Sequence, residues 1–432
     1  MQAHLHLRYC SFVDHSGYGL AAIAYVRALL LQGCSVEWVA LELINGTVVA
    51  KTSIPDIINN CQDDKTLSDL PVLWAKTRAR QTPQAVIWHC VPEGMLAQKL
   101  AGVPFIAYIA WETTRPPAHW DQLLRQLDAL WVPSTHNRDA FRTTLPAHIP
   151  IHVVPHIKRH RDTDVSTQAR TQLMTSLKLE RCRCVFYTVN TWTPRKNIDL
   201  LVEQFALAFR EQHHLPDAPV LLIKTSETGS GKAPYYSDTY TRDLLNQAIT
   251  AAAKKFSLTH APQIRLLADN KLSGNALDIL RSLAHIYVSL SSGEGFGMEA
   301  AEAAGRGVPV LMCAWSGPVD FMGQAWAQAL GQPDSQGDWQ LPPNWSGALA
   351  YRLVPCGVWP PMSPSYWPSQ KMAEPEQAAV QAGLRYAAEH LNTLRARATL
   401  IAETYANTHC SARIAQQMLS LLAPHLTVAT HG

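Results

Sequence analysis

The sequence is 432 residues long, which at about 150 residues per domain predicts two or three domains and a large buried core. Apolar residue types make up 47% of the chain and charged types 16%, a composition that excludes extended disorder. The formal net charge of +3 is too small to make the whole surface a nucleic-acid or membrane-binding face. We therefore expect no nucleic-acid partner, and any anionic ligand must be bound locally.

The nine cysteines are spread along the chain and are not grouped. They form neither a disulfide framework nor a zinc-ligand set, and the closest pair, Cys182 and Cys184, is separated by one residue. The N-terminal residues lack the layout of a secretion signal, and no stretch reaches the roughly 18 apolar residues of a membrane span. We expect a cytoplasmic protein with reduced thiols, for which peripheral contact with the inner face of a membrane is left open.

Short apolar runs alternate with stretches of helical period in the first part of the chain, which is the pattern of β-α-β units and a parallel sheet. The predicted strands here are Leu5–Val13, Ser35–Leu41, Ala85–His89, Phe105–Ala110, Ala129–Val132 and Ile151–Val154. The clearest helix is predicted over Tyr18–Gln32, before Gly33 ends it. Its predicted buried face comprises Ala21, Ala24, Tyr25, Ala28 and Leu29.

The same alternation restarts after a polar, basic joint at Pro155–Ser166. The predicted strands of this second part are Cys184–Val189, Val220–Lys224, Ile264–Leu267, Ile286–Leu290 and Val308–Cys313. The joint is typical of an interdomain connection. We therefore predict two α/β domains of similar texture.

The texture changes over Gln332–Ser369, where proline, glycine and tryptophan replace the periodic pattern. The tryptophans of this segment are Trp339, Trp345, Trp359 and Trp367. We predict an ordered insertion or long loop packed by its own aromatic side chains, and a ligand-facing role for one tryptophan is the less favoured interpretation. Helical texture returns over Glu376–Pro424, with breaks near Asn392 and Thr408.

The most informative stretch is Ser289–Leu311, which is predicted as a strand, a glycine-rich turn, a helix and another strand. A helix that starts near Phe296 presents backbone amides that suit phosphate groups. The candidate positions for this contact are Gly295, Phe296, Gly297 and Met298. Glu294 lies in the turn, and Glu302 lies about two helical turns further on nearly the same side. Two carboxylates beside a phosphate site suit a nucleotide-sugar, which has hydroxyl groups on both sides of its diphosphate.

Glu294, Glu302 and the trailing sequence Ala-Ala-Gly-Arg-Gly-Val-Pro-Val resemble the signature of the retaining glycosyltransferase family 4. This family has the α/β GT-B fold, in which two Rossmann-like doubly wound domains face a central cleft. The resemblance implies that Glu302 holds the ribose hydroxyls of the nucleotide and that Glu294 holds hydroxyls of the transferred sugar. It also implies that a terminal helix, expected over Thr408–Pro424, crosses back to the first domain. The domains expected are an acceptor domain at 1–160, a donor domain at 161–405 and the returning segment at 406–432.

A second segment, Val185–Asn197, runs from a strand into a helix start and resembles the loop that opens the donor domain in this family. Lys196 matches the family's lysine on the donor diphosphate. The family's arginine would fall at Thr191, so the sequence departs from the pattern there, and Arg195 is the candidate to replace it in part. A diphosphate leaving group needs positive charge as its bond breaks. Lys224, at the end of a predicted strand, is a further cation for this site.

In the first part of the chain, Ser16-Gly-Tyr-Gly19 opens a helix where the family has a glycine loop that borders the donor phosphates and the acceptor. Gly17 and Gly19 are therefore candidate donor contacts. His89 ends a strand at the carboxyl edge of the sheet, where open α/β sheets bind ligands. It resembles the family's histidine that touches the donor sugar, and a packed or capping histidine is the alternative.

Three further polar residues lie in segments that resemble elements of bacterial family members. Glu112 is either an acceptor-facing residue or a structural one. Asp128 and Ser134 are predicted to be turn and helix-cap residues.

The stretch Gly17-Tyr-Gly-Leu-Ala-Ala22 also matches the dinucleotide-binding pattern G-x-G-x-x-A, with Glu37 and Glu42 about 20 residues further on. An NAD-dependent oxidoreductase is therefore a competing hypothesis, but it leaves the two glutamates of the Ser289–Leu311 stretch unexplained. Three more hypotheses retain the GT-B fold: a catalytically inactive nucleotide-sugar binding protein, a phosphorylase, and a sugar-nucleotide epimerase. The sequence context of a phosphorylase's pyridoxal lysine is not found.

The resemblance implies a retaining, hexosyltransferase-like enzyme that moves a sugar from a nucleotide-sugar to a hydroxyl group of a sugar, glycan or lipid-linked acceptor. Glycan or polysaccharide biosynthesis is the expected role. The implied catalytic residues are Glu294, Lys196, Arg195 and His89, and the departing phosphate would take the acceptor's proton. No metal or other cofactor is expected, because no metal-ligand cluster is visible in the sequence.

Overall fold

The computed structural model describes residues 5–61, 64–78, 81–159, 165–225, 240–268, 274–357 and 365–428. Contacts divide the chain into two units. Unit 1 comprises residues 1–159, 364–370 and 406–432, and unit 2 comprises residues 160–363 and 371–405. No helix in the described ranges is long and apolar enough to cross a membrane. The same ranges contain no group of three or more His, Cys, Asp or Glu side chains that could hold a metal ion.

The secondary structure alternates between strands and helices along most of the chain. The strands are β1 (His6–Phe12), β2 (Ser35–Ile44), β3 (Thr47–Ala50), β4 (Ala85–His89), β5 (Phe105–Tyr108), β6 (Ala129–Val132), β7 (Ile151–Val153), β8 (Val185–Val189), β9 (Val220–Thr225), β10 (Ile264–Ala268), β11 (Ile286–Ser289), β12 (Val310–Cys313), β13 (Gln332–Pro333), β14 (Trp339–Gln340), β15 (Ala348–Leu349), β16 (Tyr351–Pro355) and β17 (Lys371–Pro375). The α-helices are α1 (Gly17–Leu31), α2 (Asp56–Asn59), α3 (Leu70–Lys76), α4 (Asp121–Leu124), α5 (Thr135–Arg142), α6 (Thr167–Ser176), α7 (Ile198–Ala208), α8 (Tyr240–Phe256), α9 (Gly274–Leu283), α10 (Met298–Gly305), α11 (Pro318–Met322), α12 (Gln324–Gln328), α13 (Gln377–Glu389), α14 (Leu391–Thr408) and α15 (Ser411–Val428). Short 3₁₀ turns lie at Met95–Gln98, Ala118–Trp120 and Pro194–Lys196.

Unit 1 is built on a seven-stranded sheet in the order β3-β2-β1-β4-β5-β6-β7. All neighbouring strands are parallel except β3, which pairs antiparallel with β2. The six strands predicted for this part of the chain are confirmed. The strand β3 was not predicted, and it follows a tight turn in which Asn45 and Gly46 both have positive φ values, 51° and 80°.

The core of unit 1 contains α1, the buried face of the sheet and α15. The prediction that α1 ends before Gly33 is confirmed, since this glycine has a φ of 83° just beyond the helix. The predicted single buried face of α1 is too narrow. Ala22, Ile23 and Val26 are also buried, whereas Ala24 is only partly so. The reason is that α1 packs against both the sheet and α15, which supplies Ile414, Ala415, Met418 and Leu422 to the same core.

Unit 2 is built on a six-stranded parallel sheet in the order β10-β9-β8-β11-β12-β15. The five strands predicted here are confirmed. Because β15 joins this sheet, the prediction of an insertion over Gln332–Ser369 is wrong in part. Trp345 is fully buried and donates from Nε1 to the carbonyl oxygen of Ala348 at 2.7 Å, so it packs as expected. Trp367 is 47% exposed, and Trp359 lies outside the described residues.

Both sheets have the doubly wound order, in which the chain runs to opposite sides of a central pair of strands. The pair is β1 and β4 in unit 1, and β8 and β11 in unit 2. In open α/β sheets ligands bind at this switch point, outside the carboxyl ends of the strands. The loops that follow these four strands carry most of the candidate residues predicted from the sequence.

Candidate functional site

The turn between β11 and α10 is shaped by Gly297. This residue is the N-cap of α10 and has a φ of 87°, a left-handed conformation that favours glycine. A Cβ atom at this position would also lie only 2.9 Å from Cγ of Pro318. The helix therefore begins one or two residues later than predicted, at Met298. The first turn still points its backbone amides toward the carboxyl edge of the sheet, where anions are favoured at a helix N-terminus.

The side chains of two of the candidate phosphate-binding positions, Phe296 and Met298, pack inward. Phe296 is 3% exposed, and its ring lies 5.2 Å from that of Phe321 in the core of unit 2. Met298 is partly buried and packs against the same core. A ligand contact at these two positions, like one at Gly295 and Gly297, would be made by the backbone.

The backbone of Glu294 is held on both sides by the loop that follows β12. Its N–H donates to Oγ of Ser316 at 3.0 Å, and its carbonyl oxygen accepts from the N–H of Gly317 at 3.0 Å. Ser316 has a φ of 64°, which is uncommon for a residue other than glycine. A Cβ atom at Gly317 would lie 2.3 Å from the carbonyl oxygen of Gly295. Ser316 and Gly317, neither of which was predicted from the sequence, thus form a clamp that fixes the position of the Glu294 turn.

The loop between β8 and α7 brings both predicted cations to the carboxylate of Glu294. Lys196 Nζ forms an ion pair with Oε1 of Glu294, and Arg195 Nη1 lies 3.5 Å from Oε2. Arg195 also donates to the carbonyl oxygen of Gly293. The three charged side chains are largely buried, with exposed fractions between 12% and 16%. Thr191, where the family's arginine would fall, is exposed.

The two loops are joined by further hydrogen bonds. Asn197 donates from Nδ2 to the carbonyl oxygen of Leu290 and to Oγ of Ser292, both at 2.8 Å. The N–H of Ser292 in turn donates to the carbonyl oxygen of Arg195 at 2.8 Å. Lys196 and Glu294 are 98 residues apart in sequence, so the strand order places them together at the switch point.

The ionisation of Glu294 follows from this arrangement. Burial alone would raise the pKa of its carboxyl group, but the charges of Lys196 and Arg195 outweigh burial and lower the pKa from 4.5 to about 2. Glu294 is therefore a carboxylate throughout the physiological pH range. It accepts hydrogen bonds and cannot serve as a proton donor near neutral pH.

Glu302 lies on α10 within a network of charged side chains and is 7% exposed. Its Oε2 lies 4.0 Å from Arg306 Nη2, which also contacts Oδ1 of Asp278 at 2.6 Å. Arg281 binds Asp278 and forms two hydrogen bonds with Glu299, in the first turn of the same helix, at 2.8 Å and 2.6 Å. The network fixes the helix that carries Glu302. None of its other members was predicted from the sequence.

Lys224 lies near the end of β9, on the carboxyl edge that also carries Arg195 and Lys196. Its carbonyl oxygen accepts from the N–H of Asn190, the first residue after β8, at 3.1 Å. Its Nζ donates to the carbonyl oxygen of Thr225 at 2.9 Å. Lys224 is thus a half-buried cation beside the β8 loop.

In unit 1, Gly17 and Gly19 both lie inside the first turn of α1, whose N-cap is Ser16. Oγ of Ser16 accepts from the N–H of Gly19 at 3.1 Å. A Cβ atom at Gly19 would lie 2.3 Å from Oδ1 and 2.4 Å from the carbonyl oxygen of Asp14. A side chain at position 19 would overlap Asp14, so close packing of the strand-to-helix turn explains why this residue is a glycine. Gly17 is exposed at the helix start.

The acidic residues of the dinucleotide-binding pattern have structural partners. Glu37 lies within β2 and pairs with Nε of Arg8 on β1 at 2.8 Å. Glu42 pairs with Nζ of Lys51 at 3.1 Å. Together with the packing role of Gly19, these pairs leave the dinucleotide hypothesis without specific support.

His89 is fully buried in a cage of tyrosines at the end of β4. Its Nδ1 lies 2.7 Å from the hydroxyl of Tyr9, and the nearest ring centroid, that of Tyr108, is 4.3 Å away. Its Nε2 has no hydrogen-bond partner within the described ranges. Burial, and secondarily the charge of His156, lower the pKa of His89 well below 6.5, so the imidazole is neutral.

We predict that the free energy of unfolding falls as the pH is lowered through 6.5. His89 and His156 are buried, and burial keeps their pKa values well below 6.5, at about 3 for His156. The unfolded chain therefore binds protons that the folded chain does not, at up to about 1.4 kcal/mol per pH unit for each histidine. Urea unfolding between pH 7.5 and 5.5 measures this slope.

In the His89→Phe variant the free energy of unfolding should depend less steeply on pH. The slope should be smaller by the contribution of one histidine, up to about 1.4 kcal/mol per pH unit. Leu31→Ala, which removes an exposed side chain that does not titrate, is the control and should leave the slope unchanged. An identical slope for wild type and His89→Phe would contradict the prediction.

Glu112, Asp128 and Ser134 also lie in unit 1. Oε2 of Glu112 accepts from the hydroxyl of Tyr366 at 3.2 Å, which gives this glutamate a structural contact. Asp128 accepts from the N–H of Phe105 at 2.7 Å, and Ser134 caps α5 by accepting from the N–H of Asn137. The predicted turn and cap roles of Asp128 and Ser134 are confirmed.

Comparison with known proteins supports the resemblance seen in the sequence. Residues 269–337 match the model of a family described as family 4 glycosyltransferases in conflict systems. This segment contains the Glu294 turn, α10 with Glu302, and the Ser316–Gly317 clamp. No curated protein matches the chain in sequence.

Solved structures share the fold over almost the entire chain. Anabaena HepE, solved with UDP and glucose, has a TM-score of 0.61 at 13% identity, and the match covers 98% of this chain and 100% of that one. Sucrose-phosphate synthase from Thermosynechococcus elongatus has a TM-score of 0.59 at 15% identity, with the same coverage. The α,α-trehalose 6-phosphate synthase from Burkholderia multivorans has a TM-score of 0.60 at 12% identity, covering 99% and 100%. The chain therefore has the GT-B fold, and residues 269–337 resemble family 4 glycosyltransferases.

Proposed function

We propose that the protein transfers a hexosyl group from a nucleotide-sugar to an acceptor hydroxyl with retention of the anomeric configuration. The observation that carries this proposal is the cluster of Lys196, Arg195 and Glu294 at the switch point of the unit 2 sheet. It combines two cations suited to a diphosphate with a carboxylate suited to sugar hydroxyls, beside a helix N-terminus. The structures of HepE and of a trehalose-6-phosphate synthase were solved with UDP or a UDP-sugar. The ligands of these two structures favour a UDP-sugar as the donor.

In the proposed donor complex, Lys196 and Arg195 bind the diphosphate and Glu294 accepts hydrogen bonds from the sugar. The low pKa of Glu294 keeps it ready to accept those bonds without first losing a proton. Glu302 accepts hydrogen bonds from the ribose hydroxyls. Backbone amides at Gly295 and Gly297 complete the phosphate contact.

The proposed chemical step uses charge stabilisation more than a protein nucleophile. As the bond between the sugar and the phosphate breaks, negative charge grows on the phosphate, and Lys196 and Arg195 stabilise it. The departing phosphate oxygen takes the proton of the acceptor hydroxyl. That hydroxyl approaches on the face from which the phosphate leaves, so the configuration is retained. His89, at the carboxyl end of β4, is proposed as a further sugar contact, a role supported by its Nε2, which has no hydrogen-bond partner within the described ranges.

The donor site is tested by calorimetric titration with UDP, GDP, ADP and NAD. We expect tight binding of UDP to the wild type and a loss of about 100-fold in Glu302→Ala, since hydrogen bonds to a charged group contribute about 1.5–3 kcal/mol each. Glu389→Ala, which removes an exposed glutamate from α13, is the matched control. Binding of NAD alone, or equal binding of UDP by all three proteins, would overturn the assignment.

Turnover and stereochemistry need a second measurement. Proton NMR of the product formed from an α-linked UDP-hexose should show an α linkage, and a β linkage would contradict retention. A wild-type protein that binds UDP but neither transfers nor hydrolyses any of the UDP-hexoses would indicate a binding protein of the same fold.

We propose glycan or polysaccharide assembly as the pathway, with a sugar, a glycan or a lipid-linked sugar as acceptor.

A further inference from the structure

Unit 1 contains a groove that the donor chemistry does not use. It has a volume of about 450 Å³, within the range of about 300–1,000 Å³ that is typical of small-molecule sites. The residues that line it are Arg115, Pro116, Ala118, Thr144, Trp367, Pro368, Ser369 and Gln370. One wall comes from the loop after β5, and the other comes from residues 367–370. These four residues belong to unit 1, although the stretches of chain before and after residues 364–370 belong to unit 2.

The two walls are fixed to each other by buried contacts. Gln370, which is 1% exposed, donates from Nε2 to the carbonyl oxygen of Arg115 at 3.2 Å, and its Oε1 accepts from the N–H of Trp367 at 2.9 Å. Trp111 donates from Nε1 to the same carbonyl oxygen at 2.8 Å, and its ring stacks on Tyr366 with centroids 5.3 Å apart. The groove is therefore preformed, which reduces the entropy lost on binding a ligand.

Trp367 gives the groove an exposed aromatic surface. Its side chain is 47% exposed, and it is the one tryptophan among the large exposed apolar side chains of the described ranges. A half-exposed indole face is costly to leave in water and provides a large, rigid, apolar contact. The C–H faces of a pyranose ring are apolar while its edges carry hydroxyl groups, so a sugar ring fits on an indole beside the hydroxyl groups of Thr144 and Ser369.

Arg115 gives the groove a positive charge. Its side chain is exposed, and within the described part of the chain its guanidinium group has neither an ion pair nor a hydrogen bond. No carboxylate is among the lining residues. A guanidinium group matches the geometry of carboxylate and phosphate oxygens and binds them with two parallel hydrogen bonds. The preferred sugar therefore carries an anionic group.

The groove also lies at the ligand-binding edge of the sheet. Arg115, Pro116 and Ala118 belong to the loop that follows the carboxyl end of β5. This strand pairs directly with β4, which ends at His89. Loops at this edge of open α/β sheets are the usual place for ligands.

We propose that this groove is a saccharide subsite that binds an anionic sugar, with the sugar ring on Trp367 and its carboxylate or phosphate on Arg115. The inference rests on the proposed glycosyl transfer and assigns the acceptor to the class of acidic or phosphorylated saccharides. The subsite shares no residue with the donor site proposed in unit 2, so the two can be tested with different variants.

The experiment compares charged and neutral saccharides of matched size on the full chain. Ligand-observed NMR and calorimetry are carried out with tetragalacturonate against galactotetraose and with glucose 6-phosphate against glucose. We expect at least about tenfold tighter binding of one charged member than of its neutral counterpart. The pair in which the difference is seen distinguishes a carboxylate ligand from a phosphate ligand.

Variants of the two key residues separate their roles. Trp367→Ala should weaken binding of the charged saccharide by about tenfold. Arg115→Ala should remove the preference for charge, and Arg115→Lys should restore it in part. Leu31→Ala and Arg138→Ala, which remove exposed side chains elsewhere in unit 1, should bind as the wild type does.

The outcomes distinguish this inference from the proposed function. UDP binding, measured on the same samples, should be unchanged in Trp367→Ala and Arg115→Ala. Failure of the wild type to bind either charged saccharide at millimolar concentration, or binding that neither variant changes, would overturn the subsite while leaving the donor site intact. Saccharide binding that depends on Trp367 in a protein that does not bind UDP would overturn the proposed function and retain the subsite.

Discussion

Replacing Lys196 with alanine should lower kcat by about two orders of magnitude or more, the scale seen when one group that stabilises transition-state charge is removed. Lys196 Nζ is paired with Glu294 and largely buried, at the switch point where we place the donor diphosphate. Its removal leaves Arg195, 3.5 Å from the carboxylate, as the remaining cation of the cluster. The measurement is the rate of donor turnover at saturating donor concentration.

The pH dependence separates the effect on Glu294 from the effect on the phosphate. Without Lys196 the pKa of Glu294 should rise from about 2, because burial raises it and Arg195 is then the cation that still lowers it. Protonation of Glu294 would make the rate loss depend on pH, whereas the charge missing from the phosphate would not. A rate loss in Lys196→Ala that is equal between pH 6.5 and 8.5 therefore reports the charge missing from the phosphate.

The control is Lys255→Ala, which breaks another lysine–glutamate pair of unit 2. Lys255 Nζ lies 2.8 Å from Oε1 of Glu203, and the pair is solvent-exposed. We expect its turnover to match that of the wild type, and Lys196→Arg should recover part of the lost rate. Turnover of Lys196→Ala close to the wild-type rate would remove this residue from the mechanism.

Replacing Gly317 with alanine should lower both stability and activity. The added Cβ atom would lie 2.3 Å from the carbonyl oxygen of Gly295 and 2.7 Å from Cα of Phe296, and neither backbone atom can rotate away. The overlap must displace the turn that carries Glu294, whose carbonyl oxygen accepts the N–H of Gly317. We expect a fall in the free energy of unfolding of about 3 kcal/mol, the upper end of the usual range for overpacking. We also expect at least a tenfold loss of turnover, because active sites are sensitive to displacements of about 1 Å.

Gly46→Ala separates steric overlap from backbone strain. Gly46 has a φ of 80° with no atom near the added Cβ, whereas Gly317 has a φ of −51°, which alanine readily adopts. The Gly46 variant should lose only about 1–2 kcal/mol, the cost of a left-handed conformation, and should keep its turnover. Urea unfolding and donor turnover measure both quantities. A Gly317→Ala protein with wild-type turnover would show that the clamp does not position Glu294.

The parallel strands could be predicted because buried strands are short apolar runs with a polar loop at each end. The small antiparallel strands could not be recognised in this way, since each has few residues and little apolar pattern. For β3 a local signal was present in Asn45-Gly46, a dipeptide that favours a two-residue hairpin turn. The segment with four tryptophans was the hardest, because composition alone does not distinguish the buried Trp345 from the half-exposed Trp367.

The contact between Lys196 and Glu294 could be anticipated from the sequence because each residue follows a parallel strand, and the ends of such strands meet at one edge. The Ser316–Gly317 clamp could not be predicted, since its hydrogen bonds depend on the tertiary approach of two loops. The inward direction of Phe296 likewise depends on packing against Phe321. The position of Phe296 in a motif did not show where its side chain points.

The origin of the unit 1 core has a consequence for the synthesis of the protein. The helix α15 fills part of that core, yet it follows all of unit 2 in the sequence. On the ribosome, at about 5–20 residues per second, the first unit therefore waits on the order of tens of seconds with its apolar surface uncovered. A fragment that ends at Arg159 would keep this surface exposed. The unit that is synthesised first is therefore the one whose core is completed last.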